Sequence, residues 1–267
     1  MKFLVSFLIF LQVAPISKGV EISEHGKIDW INGIVIAKGY GAFDPKAKNL
    51  SQEILKARRV AIVVAQRNLL ETIKGVHITS ETIVENYILK SDLIFSRVQG
   101  VVRNARMIGE PKIDKENGIV EVELAVNFYG DDGFITPILP EIPKKKGKIA
   151  DEPKLKSLNY TGAVIDASGT NIKPAVFPKF YDEEGNLLLD TSEFVDPGNP
   201  KTAKVVKFVN SLNDVLSDPE LSKSPLVIKI KSALNKRDFV VGKKEAEKLK
   251  WLKAIWRVGK KIVLALF

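Results

Sequence analysis

The sequence predicts an α+β protein of two small modules, the first a helix packed on a mostly antiparallel sheet, the second a mixed α/β sheet module. Three patterns indicate this class: a strand followed by a long stretch with alanines at helical spacing, a hairpin later in the same half, and strands alternating with helices in the second half. With 267 residues, 45% of them hydrophobic, the chain has enough apolar material for packed cores.

Residues 1–19 have the composition of a secretory signal peptide. Lys2 precedes an apolar run, and Ser17 and Gly19 are the small residues that cleavage before Val20 requires. The alternative is a retained membrane anchor, although the run is shorter than the roughly 20 residues that span a bilayer. We therefore expect an exported protein, either periplasmic or associated with the outer membrane.

The first module is expected over residues 20–138 and begins with a strand within Gly26–Phe43. Gly39 and Gly41 are predicted to end that strand. A helix over Ser51–Lys74 follows, because apolar residues recur three or four apart after Asn49, a residue suited to cap a helix.

A hairpin is predicted to complete the first module. Its first arm is expected over Ser96–Gly109, and Asn117-Gly118 is a strong turn signal. The second arm alternates valine and leucine with glutamate, as in a strand with one face on a core and one in water. A Pro- and Lys-rich linker is predicted over residues 139–157.

The second module is expected over residues 158–267. It should contain a strand, a hairpin, a helix, a strand, a helix and a closing strand, at Thr161–Ala167, Ala175–Asp190, Lys201–Leu216, Pro225–Leu234, Gly242–Val258 and Lys260–Phe267. The hairpin turn holds Gly185, which can adopt a positive φ.

Residues with catalytic chemistry are scarce. There is no cysteine, and neither of the two histidines, His25 and His77, has ligand spacing. Asp166 is a candidate catalytic or metal carboxylate, but an aspartate between a strand and a turn usually bonds nearby backbone N–H groups. Asp182–Gly185 lacks the ligand pattern of a calcium loop. We therefore expect no catalytic residue, cofactor or metal site.

The formal net charge of +9 is concentrated near the end of the sequence. Residues 226–267 contain twelve Lys or Arg against three Asp or Glu. An exported protein rarely meets nucleic acid, so anionic lipid or cell-wall glycan is the expected partner of this basic region. Contact with an anionic surface is expected at Lys243, Lys244, Lys248, Lys250, Lys253, Arg257, Lys260 and Lys261. The helix carrying Trp251 and Trp256 suits either an interfacial position or a sheet-covering one.

Two stretches resemble known exported proteins. The segment KARRVAIVVAQRNLLETIKGVHI, after GKIDWINGIVIAKGYG, resembles the Lpp-twenty-type surface-lipoprotein family and the N-terminal region of flagellar assembly protein T. The stretch from Tyr160 to Asp190, with SPLVIKIKSALNKRDFVVGKKEAEKL and the closing KKIVLALF, resembles a module that often follows this first region in uncharacterised exported proteins. The resemblance implies an envelope protein without catalytic residues. This chain lacks the lipid-bearing cysteine that many members have.

These observations predict a non-enzymatic exported cell-envelope protein that acts in assembly or interaction, with flagellar association as one expectation. Its partners would be envelope proteins or further copies of the same chain. The first alternative is a peripheral binder of anionic lipid or cell-wall glycan, and the second is a hydrolase.

Overall fold

The computed structural model describes residues 19–148, 159–219 and 221–265. The predicted α+β class is confirmed: one sheet is entirely antiparallel and carries a long helix, and two further sheets follow in the second half. The proposed signal segment up to residue 18 and residues 149–157 of the expected linker lie outside these ranges, as does residue 158 of the expected second module. Within them, no helix combines the length and hydrophobicity needed to cross a membrane.

The first sheet has six strands and is antiparallel throughout. Its strands, in chain order, are β1 (Val20–Ile22), β2 (Lys27–Asp29), β3 (Ile34–Ala42), β4 (Arg106–Met107), β5 (Lys112–Asp114) and β6 (Ile119–Asn127). Their spatial order is β1-β2-β3-β6-β4, and β5 pairs with the other part of β6. The predicted turn at Asn117-Gly118 and the strand after it are present, with Gly118 at a φ of +68°, but the strand paired across this turn is β5 and not Ser96–Gly109.

The long helix α1 (Leu50–Lys74) lies on this sheet through its predicted stripe, and Ala57, Ala61, Ala65 and Leu69 are buried. Its capping residue is confirmed, because the side chain of Asn49 accepts a hydrogen bond from Gln52 N at 3.1 Å.

The expectation that Gly39 and Gly41 end a strand was wrong. Both lie inside β3, where a Cβ atom would collide with the backbone of α1. These two glycines therefore allow the helix to approach the sheet closely.

The predicted strand over Ser96–Gly109 was also wrong. Most of it is α3 (Asp92–Arg103), which follows the short helix α2 (Val84–Ile88). Ser91 caps α3 by accepting a hydrogen bond from Ile94 N at 3.4 Å, and the buried side chains recur every fourth residue. Helical periodicity and a cap outweigh the β-propensity of the valines and isoleucine in this segment.

Two four-stranded sheets form the second half. Its elements are β7 (Gly162–Asp166), β8 (Lys179–Tyr181), β9 (Leu187–Asp190), β10 (Lys207–Val209), α4 (Leu212–Leu216), β11 (Pro225–Lys229), β12 (Ser232–Leu234), β13 (Asp238–Val240), α5 (Lys243–Ala246), α6 (Leu249–Arg257) and β14 (Ile262–Ala265). One sheet is parallel, in the order β10-β14-β7-β11. The other, β12-β13-β8-β9, is mixed.

The helix predicted over Lys201–Leu216 was wrong in its first half. A 3-10 turn (Pro200–Ala203) leads into β10, and only Leu212–Leu216 is helical. β10 pairs in parallel with β14, so a contact across more than fifty residues of sequence decides its conformation.

The expected linker is packed over its described part. Leu139 and Ile142 are buried. Further on, the backbone N–H of Lys148 donates to the carbonyl of Leu187 at 3.1 Å, and Gly147 N donates to Glu193 at 3.0 Å. This segment therefore runs along the second half, which its prolines and lysines did not predict.

The two halves share one hydrophobic cluster. Trp30 meets Phe208 edge to face, with ring centroids 5.6 Å apart. Backbone hydrogen bonds also cross, since Val176 N donates to His77 O and Phe177 N to Ile78 O. The side chains and the main chain therefore both join the halves.

Candidate anion-binding cleft

A cleft of about 520 Å³ opens between the C-terminal end of α6 and the chain that enters β10. Six cationic side chains and no carboxylate are among its lining residues, and we call it the cationic cleft. The cations are Lys201, Lys204, Lys207, Arg257, Lys260 and Lys261. A concave surface with charges of one sign focuses the field and attracts ligands of the opposite sign.

One rim of the cationic cleft comes from the 3-10 turn and β10. Lys201, Lys204 and Lys207 recur every third residue and are all exposed, whereas Val205 and Val206 between the last two are buried. The buried residues fix the segment to the core. The lysines are consequently held in a row on its outer side.

The other rim comes from the turn between α6 and β14. The helix ends at Arg257, and Gly259 adopts a φ of +72° that reverses the chain toward Lys260 and Lys261. Parallel pairing of β14 with β10, in the register Lys207 to Val263, then brings this rim beside the first.

The cations differ in their partners. Lys260 donates to the carbonyl of Tyr160 at 2.5 Å, and Lys261 pairs with Asp218 at 2.9 Å. The ammonium groups of Lys201, Lys204 and Lys207 make no hydrogen bond or ion pair within the part of the chain that the structure describes. These three lysines are therefore available to an external anion.

Trp256 forms an apolar wall of the cationic cleft. Its ring stacks on Phe194, with centroids 5.3 Å apart and the planes inclined by 24°. This contact, with the burial of Leu252 and Ile255 on α6, shows that one face of the tryptophan helix packs on the protein. The helix covers the sheet, and Trp256 lies at the edge of that packing.

The cationic cleft lies close to the first half of the chain. Lys201 and Lys204 also line an adjoining hollow of about 360 Å³ with Asn32, Gly33 and Tyr129. A ligand in the cleft would therefore lie at the border of the two halves.

The eight cations predicted to contact an anionic surface are divided by the fold. Arg257, Lys260 and Lys261 line the cationic cleft. Lys248 bonds to Glu245 at 2.8 Å, and Lys253 lies 3.7 Å from Glu193. The remaining three, Lys243, Lys244 and Lys250, lie on α5 and α6 outside the cleft lining.

Sequence reasoning missed Lys201, Lys204 and Lys207, although a signal existed. The run KTAKVVK has a cation at every third position beside buried valines. That pattern indicates a one-sided basic segment, but it lies more than forty residues before the other rim.

The acidic segments considered as candidate sites, at Asp166 and at Asp182–Gly185, lie in turns. Asp166, at the end of β7, accepts a hydrogen bond from Ser168 N at 2.9 Å, as expected of a turn aspartate. Asp182 accepts from both nitrogens of Asn186, at 2.6 and 2.9 Å, and Gly185 has a φ of +80°. Both segments are held by local hydrogen bonds.

The two histidines lie apart from the cationic cleft. His25 is exposed, and His77 Nδ1 lies 3.3 Å from the carbonyl of Thr79. Burial and the nearby Arg237 lower the pKa of His77. No group of three potential metal ligands occurs among the described residues.

The segments around Gly19 and Val20 form the edge of the first sheet. Val20 begins β1 opposite Asp29, and the carbonyl of Gly19 accepts a hydrogen bond from Trp30 N at 2.9 Å. The peptide bond at which cleavage is predicted therefore comes directly before the first strand.

Comparison with known proteins shows one family match. Residues 162–258, somewhat more than a third of the chain, match the family model described as the second domain of Treponema pallidum Tp0624. The match spans β7 through α6 and contains four of the six cleft cations, because Lys260 and Lys261 lie beyond it. No curated protein matches the chain.

Proposed function

We propose that this chain is a non-enzymatic, exported component of the cell envelope that holds an anionic partner in the cationic cleft. The observation that carries the proposal is the lining itself, in which six cations surround a concave, partly apolar surface without a carboxylate. Such a surface binds phosphate or carboxylate groups through charge-assisted hydrogen bonds.

The partner we propose is an anionic envelope polymer or lipid. A phospholipid headgroup and a cell-wall glycan share the chemistry that the cleft recognises, namely negative oxygens on a larger body. Arg257 can bind such oxygens in a bidentate manner, and the lysines supply point charges. Trp256 offers an apolar face beside them.

Export and an assembly role rest on the sequence. The signal-like first 19 residues and the resemblance to surface lipoproteins and flagellar assembly protein T support them. Fractionation of cells into cytosol, periplasm and membranes tests this part. Recovery of the full-length, unprocessed chain in the cytosol would overturn it, whereas co-purification with flagellar basal structures would extend it to the flagellum.

Vesicle sedimentation tests the cationic cleft. The mature protein is mixed with phosphatidylcholine vesicles, with or without phosphatidylglycerol, at about 0.1 M and about 1 M salt, where the Debye lengths are about 10 and 3 Å. Binding is expected only to the anionic vesicles and only at the lower salt. A parallel pull-down with purified cell-wall sacculi distinguishes the glycan from the lipid.

A matched pair of triple variants distinguishes the contribution of the cleft to binding from that of the net charge of the protein. Changing Lys201, Lys204 and Lys207 to Gln should weaken binding by up to about 3 kcal/mol, roughly a hundredfold, since each cation near an anionic surface contributes about 1 kcal/mol. The control changes Lys243, Lys244 and Lys250 to Gln and removes the same charge elsewhere. Equal losses in the two variants would show that the cleft has no special role.

A further inference from the structure

A second cleft lies in the first half of the chain and has a different chemistry. It has a volume of about 680 Å³ and lies between α3, the start of β4, the end of β6 and residues 131–140, which include a 3-10 turn. Pro137, Pro140 and Pro197 contribute to its wall. We call it the α3 cleft. Its volume is in the range of sites that hold small ligands.

One face of α3 lines this cleft. Arg97, Gly100, Val101 and Asn104 follow the spacing of residues on a single helix face. A Cβ atom on Gly100 would have no neighbour within 4 Å, so packing within the protein does not require glycine there. Glycine inside a helix is destabilising relative to alanine. At this position the absence of a side chain leaves the space above the helix open.

The charges of the α3 cleft are of both signs. Arg97 and Arg106 line it together with Asp131 and Asp132, and all four are exposed. None of these four side chains makes a hydrogen bond or ion pair within the described ranges. Opposite charges therefore line one cleft without forming an ion pair in the described part of the chain.

The acidic side of the cleft is held in a fixed turn. Gly133 N donates to Gly130 O at 2.9 Å, and the hydroxyl of Thr136 donates to the same carbonyl at 2.7 Å. Phe134, which follows, is fully buried. Asp131 and Asp132 thus lie on an anchored turn at one side of the cleft.

We propose that the α3 cleft binds a short zwitterionic peptide. The guanidinium groups of Arg97 and Arg106 would take its carboxylate, and Asp131 and Asp132 its ammonium group. A purely anionic ligand would leave the two carboxylates without a partner, and a purely cationic one would leave the two arginines without a partner. The small residues Ala105 and Ala125 leave room for short side chains between the two charged ends.

Three peptides that differ only at their ends test the proposal. Tri-alanine carries both charges, N-acetyl-tri-alanine only the carboxylate, and tri-alanine amide only the ammonium group. Each is titrated into the uniformly nitrogen-15-labelled mature protein, and backbone amide shifts are followed by NMR. Saturable shifts are expected at Gly100, Asn104 and Asp132 with tri-alanine, and at least tenfold weaker binding with either blocked peptide.

Variants then locate the site. Gly100→Leu fills the cleft, and Arg106→Gln removes one of the two guanidinium groups proposed to bind the carboxylate of the peptide. Each change should therefore weaken tri-alanine binding at least fivefold. Arg58→Gln, an exposed change of the same charge on α1, should leave it unchanged. Equal binding of the three peptides, or no saturable shift at the cleft amides with tri-alanine, would overturn the proposal. Both results come from the unaltered protein and do not depend on how a variant folds.

The proposal is independent of the anionic partner described above. The α3 cleft and the cationic cleft have no lining residue in common. Loss of vesicle or sacculus binding would leave the peptide result unaffected, and the reverse also holds.

Discussion

The hydroxyl of Ser80 donates a hydrogen bond to Oδ2 of Asp238 at 2.5 Å, although 158 residues separate the two in sequence. The other oxygen of Asp238 accepts from the backbone N–H of Lys179 at 2.9 Å. Asp238 is fully buried, so each of these donors stabilises a carboxylate that has no access to water. The contact joins the loop before α2 to β13 and is a polar counterpart of the shared hydrophobic cluster.

Removal of the serine hydroxyl should destabilise the whole protein. Ser80→Ala leaves one buried carboxylate oxygen without that donor, and we expect a loss of about 1–3 kcal/mol in the free energy of unfolding. Urea unfolding followed by tryptophan fluorescence measures it. Ser96→Ala, at an exposed position on α3, should change stability by less than about 0.5 kcal/mol. Similar effects of the two changes would contradict the assigned role of Ser80.

The stability that depends on Asp238 should decrease as the pH rises. Burial raises the pKa of Asp238, so the folded chain binds this proton more tightly than the unfolded chain. The resulting stabilisation is complete below the unfolded pKa and is lost as the pH rises through the folded pKa.

Asp238→Asn isolates this effect because other titrating groups are common to both proteins. The unfolding free energy of the variant is subtracted from that of the unaltered protein at each pH from about 3.8, the ordinary aspartate value, to neutrality. The difference should decline across this interval. A difference that is constant or increases would show that burial does not control this carboxylate.

Two glycine-to-alanine changes should have opposite signs. At Gly39 the added methyl group would collide with the backbone of Ala61 and Ala65, so α1 must move and stability should fall by about 1–3 kcal/mol. At Gly100 the methyl group would have no neighbouring atom within 4 Å, and alanine has a higher helix propensity than glycine. The free energy of unfolding should therefore rise by about 0.5–1 kcal/mol. Thermal unfolding measures both, and a stabilised Gly39→Ala protein would refute the close approach of helix and strand.

The ion pair between Glu21 and Arg237 should tie the edge strand β1 to the second half. The buried guanidinium donates to both carboxylate oxygens at 3.2 Å and also to the carbonyl of Pro174. Glu21→Ala leaves this charge without its counterion, and we expect a loss of about 1–3 kcal/mol, reduced from a fully buried pair because Glu21 is partly exposed. Arg237→Lys should also destabilise the folded protein, since an ammonium group cannot reproduce the two parallel hydrogen bonds of the planar guanidinium.

Urea unfolding measures both changes, with Glu24→Ala as the control. Glu24 is exposed in the turn between β1 and β2, so its removal should be nearly neutral. If Glu21→Ala is equally neutral, the ion pair does not hold β1.

Local pattern predicted the elements whose conformation is decided by their own sequence. Neighbouring residues are enough to specify α1, through its alanine stripe and the Asn49 cap. They are also enough to specify the turn at Asn117-Gly118. α3 was mispredicted although its sequence held comparable information, since Ile94, Val98 and Val102 are four residues apart, as on one face of a helix.

Long-range pairing decided the rest. Val205 and Val209 have helical spacing with residues further on, yet β10 is a strand because β14 offers it a parallel partner. The same pairing builds the cationic cleft by placing Lys207 near the residues around Lys260. Residue types alone predicted a basic region, whereas the row of three lysines opposite Arg257 depends on a sheet that no local window contains.

The position of β14 between β10 and β7 sets an order of assembly. Both neighbouring strands leave the ribosome before residues 262–265, and neither is bonded to the other without them. A nascent chain stalled ahead of Ile262 would already carry the lysines at 201, 204 and 207, but nothing would hold them opposite the second rim. The proposed affinity for an anionic partner therefore depends on β14 being in place.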